Sequence, residues 1–235
     1  MTRRVKETGE LSGITLEIDK IGQKMVNCSN KCPGVAYNPQ EGFLPRCLIL
    51  EIDDRALDGG TVICGINPGN SNSHERSYYI ENGKSYDKVK EYWKNHIQKR
   101  KYYSWLKRFV DQLGFSGPIL WTELVKCSNA ERGKMPPLQT FRVCTKTYLS
   151  AELGLIPNNW PLIAVGGEVY KALAYRFPNR IVIGTPHVTG AFGYFPKLFD
   201  KNGDLYHKFK LPCNELWDGK DGKAIWFDAK NRCIR

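Results

Sequence analysis

Four short apolar runs constrain this chain more than any other feature. They are residues 61–66 (TVICGI), 118–125 (PILWTELV), 161–165 (PLIAV) and 180–184 (RIVIG), each bounded by turn residues. Runs this short, rich in Ile, Val, Leu and Thr, suit strands buried on both faces, as in parallel sheets. Helical patterns separate them, over residues 85–113, 138–153 and 168–177. The resulting β-α-β-α-β-α-β alternation predicts an α/β fold, a three-layer α/β/α arrangement around a four-stranded parallel central sheet with right-handed crossovers. Residues 43–52 (FLPRCLILEI) add a candidate edge strand, and the segment from Phe195 onward reads as irregular polar structure closed by AIWF at 224–227. With 235 residues the simplest organisation is a single domain, its core over about 43–195, with an N-terminal Cys-containing segment and a C-terminal extension.

In such sheets ligands bind beyond the carboxyl ends of the strands. That rule selects the loops 65–72, 126–134, 166–168 and 185–193. The first carries Gly65-Ile66-Asn67-Pro68-Gly69. Its two glycines allow a sharp turn and close approach of backbone to a ligand, and Asn67 can both donate and accept hydrogen bonds. A purely structural strand-to-helix turn has the same composition. The fourth loop carries Thr185-Pro186-His187-Val188-Thr189-Gly190. An imidazole there can stabilise a developing anion, either as a neutral donor or as a cation, although a lone His is more often a satisfied structural residue.

Charge points the same way as the loops. Lys and Arg outnumber Asp and Glu by 35 to 24, a formal net charge of +11 that favours polyanionic partners. Between Lys84 and Arg108 there are nine Lys/Arg and only two acids, interleaved with Tyr86, Tyr92, Trp93, Tyr102, Tyr103 and Trp105. Val89, Trp93 and Ile97, then Leu106, Phe109, Val110 and Leu113, read as core stripes, so the lysines are the better candidates for phosphate contacts. No apolar run reaches the length of a membrane span, and MTRRVKETGELSG lacks the apolar stretch of a secretory signal. The expectation is a cytoplasmic monomer with no membrane partner. Eight cysteines stand at 28, 32, 47, 64, 127, 144, 213 and 233. Without a secretory signal, metal or cluster ligation and plain burial are both open for them.

Taken together, ICGINPG, TELVKC with a second cysteine after it, LIAVGGEVYKAL and TPH plus a small polar residue resemble, in order and spacing, the uracil-DNA glycosylase superfamily over roughly residues 28–195. GINPG looks like the first motif of the mismatch-specific uracil and thymine glycosylases. The cysteine pattern is similar to that of the thermophilic iron–sulfur branch. The resemblance implies base-excision repair on DNA: the target nucleotide is flipped into a pocket and its N-glycosidic bond is hydrolysed. Asn67 would position the attacking water, and His187 would stabilise the anionic leaving base. Gly65, Ile66, Tyr79 (or Tyr78) and Glu123 would contact the base. Asn70, Ser71, Thr189, Gly190 and Phe192 would contact DNA, with Phe192, Tyr194 or Phe195 as the wedge that fills the hole. Cys28, Cys32, Cys127 and Cys144 would hold a [4Fe–4S] cluster, with zinc the chemical alternative.

Three positions depart from the family pattern. Glu123 stands where the iron–sulfur branch has an Asn that reads uracil, and a carboxylate donates to a carbonyl only when protonated. Val188 replaces the proline of His-Pro-Ser. Cys28 and Cys32 are separated by three residues rather than two, which makes Cys47 a possible substitute ligand. The alternative reading these departures favour is a weak or inactive glycosylase-fold protein that binds nucleic acid. A third, a Rossmann-like nucleotide enzyme, lacks GxGxxG and its acidic ribose partner.

Overall fold

In the computed structural model, residues 2–52, 59–131, 133–190, 193–206, 224–228 and 232–234 are described. In chain order the elements are α1 (Thr2–Val26), β1 (Val35–Ala36), β2 (Ile49–Glu51), β3 (Thr61–Gly65), α2 (Ser73–Asn82), α3 (Tyr86–Tyr92), α4 (Lys101–Gln112), β4 (Ile119–Glu123), β5 (Ser128–Asn129), α5 (Leu138–Cys144), α6 (Ser150–Leu155), β6 (Leu162–Val165), α7 (Gly167–Arg176), β7 (Val182–Thr185), β8 (Ala224–Asp228) and β9 (Arg232–Ile234). The protein is mixed α/β with a mainly parallel central sheet, its strands ordered β2-β4-β3-β6-β7-β8-β9. The four expected strands are its β4, β3, β6 and β7. β2 extends the order on one side, and β8 and β9 on the other. β3, first of the four in sequence, stands where the order reverses, the place at which sheets of this kind bind ligands. Among the described residues no helix is long and apolar enough to cross a membrane.

The chain divides into two compact units. The first comprises Met1–Leu50, Ile66–Lys99 and Trp121–Ile156; the second comprises Glu51–Gly65, Arg100–Leu120 and Pro157–Arg235.

The second unit carries most of the sheet. Every residue of β3, β6 and β7 is buried, as strands covered on both faces must be. β3 pairs parallel with β6 in the register Val62↔Leu162, and β6 pairs with β7 as Leu162↔Val182. β8, the expected AIWF piece, joins parallel to β7, and β9 closes antiparallel on β8. Gly184 is required here, because a Cβ would overlap the rings of Tyr170 and Trp226. On α4 the stripe Leu106, Phe109 and Val110 is buried, and Phe109 meets Phe195 and Phe227 at ring separations of 5.7 and 5.5 Å.

In the first unit α1 packs beside α3 and α6. Among its described positions the buried ones are Ile18, Gly22, Met25 and Val26, at helical spacing. A side chain at Gly22 would overlap the ring of Tyr86, whose hydroxyl donates to the Leu48 carbonyl at 2.5 Å. α2 starts at Asn72, whose side chain accepts from the Glu75 N–H at 2.8 Å.

The helix expected over 85–113 is broken into α3, a π-helical turn at Trp93–Ile97, and α4. The two buried stripes belong to different units, the first ending at Lys99 and the second beginning at Arg100. At that junction the chain leaves helical geometry, with Arg100 extended at φ −70°, ψ 146° before α4 begins.

Candidate active site and cysteine cavity

The loop after β3 lies mainly in the first unit and is pinned from several sides. The Ile66 carbonyl accepts from the Val125 N–H at 3.0 Å. The Arg46 guanidinium donates to the Gly69 carbonyl and to Ser71 Oγ, and its Nε lies 3.1 Å from Glu75 Oε1. Both members of that ion pair are buried. Asn67 Nδ2 donates inward, to Asn129 Oδ1 at 3.0 Å, the Pro68 carbonyl at 3.3 Å and the Cys127 carbonyl at 3.5 Å. The donor end of the amide is thus occupied, and its oxygen is left to accept. Gly65 is buried, Ile66 half-buried, and Asn70 exposed.

Glu123 ends β4 with only 8% of its surface exposed, and its Oε2 is buried without a hydrogen-bond partner among the described residues. Burial pushes its carboxyl up to about 8, against the opposing pull of Lys126 and Arg46. It is therefore mostly protonated at neutral pH, and a neutral carboxyl both donates and accepts. Lys126 is itself committed, its Nζ donating to Glu152 Oε2 at 2.8 Å, Thr122 Oγ1 at 2.5 Å and the Glu123 carbonyl at 2.8 Å. Cys47 has a left-handed backbone, φ 66°, a conformation costly for a residue with a Cβ. Its thiol is pushed up to about 12 by burial and then by Glu123.

Tyr79 is enclosed completely, with its ring 5.8 Å from that of Tyr78 and 5.6 Å from that of Tyr92, and its hydroxyl 3.4 Å from Glu75 Oε1. Its ring presents no open face to a base, so the structure places it in the core.

His187 belongs to the second unit, two residues beyond the end of β7. Its Nδ1 accepts from the Thr189 N–H at 3.3 Å and lies 3.2 Å from the Thr189 hydroxyl. That contact assigns the proton of the neutral ring to Nε2. The ring lies beside that of Tyr102, centroids 5.7 Å apart, and the residue as a whole is exposed. Desolvation holds its pKa below the usual histidine value. The Gly190 N–H donates back to the His187 carbonyl at 3.0 Å, closing a tight turn. Phe192 lies outside the described residues. Phe195 is fully buried against Phe109 and Phe199, which removes it as a wedge, whereas Tyr194 is half-buried under Lys197.

Cys28, Cys32, Cys127 and Cys144 all line one cavity of the first unit, about 370 Å³ with its mouth included, together with Tyr37 and Tyr148. Burial, with the neighbouring thiols adding to it, pushes Cys127 up to about 12. Burial likewise takes Cys144 to about 11, opposed by Lys126, whose backbone N–H donates to its sulfur at 3.3 Å. Among the described residues no three His, Cys, Asp or Glu side chains stand in metal-binding geometry. The donor set nonetheless fits a thiophilic centre: four thiols from two distant segments, with no carboxylate or imidazole among the lining residues. Cys47 does not line this cavity, and Cys64 is buried within β3.

Of the basic segment, Lys88 and Lys90 are tied up with Glu91, Asp19 and Asp87. Lys94, Lys99, Arg100 and Lys101 are exposed and, among the described residues, pair with no acid.

Arg46 and Asn129 escape the sequence reading. Arg46 sits in an apolar context, FLPRCLIL, where its charge was the available signal. Asn129 lies beside Cys127 in a loop singled out only for its cysteines. Comparison with models of known families and with curated proteins finds no match for this chain.

Proposed function

We propose that the chain is a DNA glycosylase of the uracil-DNA glycosylase type, acting as a cytoplasmic monomer on a damaged or deaminated base extruded from DNA. The observation that carries this reading is the fixed amide of Asn67, whose donor end is tied inward and whose oxygen is left to accept. In the reaction the base departs with the electrons of the N-glycosidic bond, the sugar becomes oxocarbenium-like, and water adds to the sugar carbon. Asn67 Oδ1 accepts a hydrogen bond from that water and orients it. An amide is too weak a base to take its proton, which is lost once the C–O bond has formed. The slow chemistry that results leans on stabilising the leaving base. The family resemblance assigns the anionic leaving base to His187, whose neutral ring carries its proton on Nε2. Glu123, in its neutral form, donates to one base-edge atom and accepts from the next. Gly65 and Ile66 supply close backbone, and Asn70, Ser71, Thr189 and Gly190 flank the strand. The exposed cations at 94, 99, 100 and 101 supply phosphate contacts.

Cys28, Cys32, Cys127 and Cys144 would hold a [4Fe–4S] cluster or zinc, which when bound supplies a structural cross-link between their two segments.

The test is a panel of single-lesion oligonucleotides. Wild-type protein is expected to release free base and leave an alkali-labile abasic site. Changing Asn67 and His187 together to Ala lowers release by at least about a hundredfold. Wild-type protein that leaves uracil, hypoxanthine and xanthine all intact overturns the proposal. Strongly salt-dependent DNA binding without base release would select a binding protein instead.

A further inference from the structure

Asn67 can serve water only if its amide faces the right way. The two ends of a primary amide have nearly the same shape and opposite hydrogen-bonding character, so rotation by half a turn presents N–H where oxygen should be. Something must break that symmetry. Inside the first unit three acceptors surround Nδ2: the carbonyls of Pro68 and Cys127 at 3.3 and 3.5 Å, and Asn129 Oδ1 at 3.0 Å. The side-chain contact is the shortest of the three and the only one that a substitution can remove.

Asn129 is well placed for this. It lies on β5, which pairs antiparallel with β1 in the register Val35↔Asn129 and Ala36↔Ser128. The Ala130 N–H donates to the Gly34 carbonyl at 3.0 Å, so the backbone is held on both sides of the side chain. Gly34 has φ 74°, and a Cβ there would overlap Pro137, which fixes β1 in turn. Asn67 is half-buried, so a flipped amide would leave Nδ2 toward the open side and set its oxygen against two carbonyls that cannot turn to donate, and a matching turn of the Asn129 amide would relieve only the third contact.

We infer that Asn129 is a positioning residue that fixes the rotamer of the Asn67 amide, holding its oxygen toward the reacting centre. This rests on the glycosylase reading for the role of Asn67, but the orientation itself does not depend on it. Acceptance is the property that matters at position 129. Aspartate retains an acceptor oxygen of the same reach, whereas leucine fills the space and accepts nothing.

The test compares Asn129→Asp and Asn129→Leu with wild type by single-turnover base release and by NMR of the Asn67 side-chain NH2 protons. Those resonances are assigned from their loss in Asn67→Asp. Wild-type and Asn129→Asp protein should share slow-exchanging, downfield Asn67 amide protons, and Asn129→Asp should keep most of the rate. Asn129→Leu should lose the shift and the slow exchange. Its kcat should fall on the order of ten- to a hundredfold with KM for the lesion oligonucleotide unchanged. Equal rates in Asn129→Leu and wild type, or Asn67 amide protons indifferent to both substitutions, overturn the inference. If wild-type protein releases no base, the glycosylase reading fails, and the NMR comparison still decides the orientation.

Discussion

Replacing Glu123 by Gln should stabilise the protein, by an amount that grows with pH. The carboxyl titrates near 4.5 when unconstrained and is pushed up to about 8 in the fold, mainly by burial. Between those values the folded state holds a proton that the unfolded state has released, so stability falls as pH rises through the window. Glutamine has no proton to lose. Relative to it, Glu123 costs about 1 kcal/mol at pH 5 and about 3 kcal/mol at pH 7, at 1.36 kcal/mol per pKa unit. Differences in packing or hydrogen bonding between the two side chains add an offset that does not vary with pH, so the diagnostic is the increment of about 2 kcal/mol. That is large against a typical total of about 5–15 kcal/mol. Urea unfolding of both proteins at pH 5, 6 and 7, with free energies by linear extrapolation, measures it. The other titrating groups are common to both and cancel. A difference that stays flat from pH 5 to 7 would refute the argument, because Glu123 would then be ionised in the fold.

Arg46→Ala should be among the most damaging single changes in the first unit, costing about 3–5 kcal/mol, because it strands buried Glu75 and releases the Gly69 carbonyl and Ser71. Arg46→Lys should recover only a minor part in thermal unfolding, since an ammonium cannot replace a guanidinium that serves several partners at once. For His187, the depressed pKa keeps the ring neutral above the ordinary histidine value, so the fall in base release expected from about pH 7 to 8 belongs to Glu123, which titrates at about 8. His187→Ala should lower release about a hundredfold or more at pH 7, and an alkaline fall in wild type that disappears in Glu123→Gln would assign that limb to the carboxyl. For the cavity, metal and sulfide analysis of protein purified without oxygen should find iron and sulfide, or zinc, in wild type. The double change of Cys127 and Cys144 to Ala should abolish that content, and wild-type protein free of both would refute the ligand set.

The strands were legible because burial on both faces leaves an unbroken apolar run, and β3, β6 and β7 are such strands from end to end. α1 was not, because its described buried positions are only Ile18, Gly22, Met25 and Val26, and a glycine contributes nothing to an apolar stripe. Helix content over 85–113 was legible, but neither stripe marked that one compact unit ends at Lys99 and the other begins at Arg100. At the candidate site, Asn67 stood out as an amide in a glycine-bounded loop, whereas Glu123 and the grouping of the four cavity cysteines came from the family resemblance. Tyr79 came with the family resemblance, and a resemblance in sequence does not say which way an aromatic points. Asn129 and Arg46 act through Asn67 and the loop backbone, so their importance exists only in three dimensions.

The interruption between Ile97 and Leu106 has a bearing on how this sequence can change over time. Inside a continuous helix each inserted residue rotates everything beyond it by about 100°, so insertions are selected against. At 98–100 no helical register crosses, and Lys99, Arg100 and Lys101 are exposed. Length variation is tolerated best where backbone is exposed and outside helices and strands. Homologous chains should therefore differ in length at this point while keeping both buried stripes intact. Because the residues that stand there in this chain are cationic, an insertion is also a chance to adjust affinity for a polyanion without touching either core.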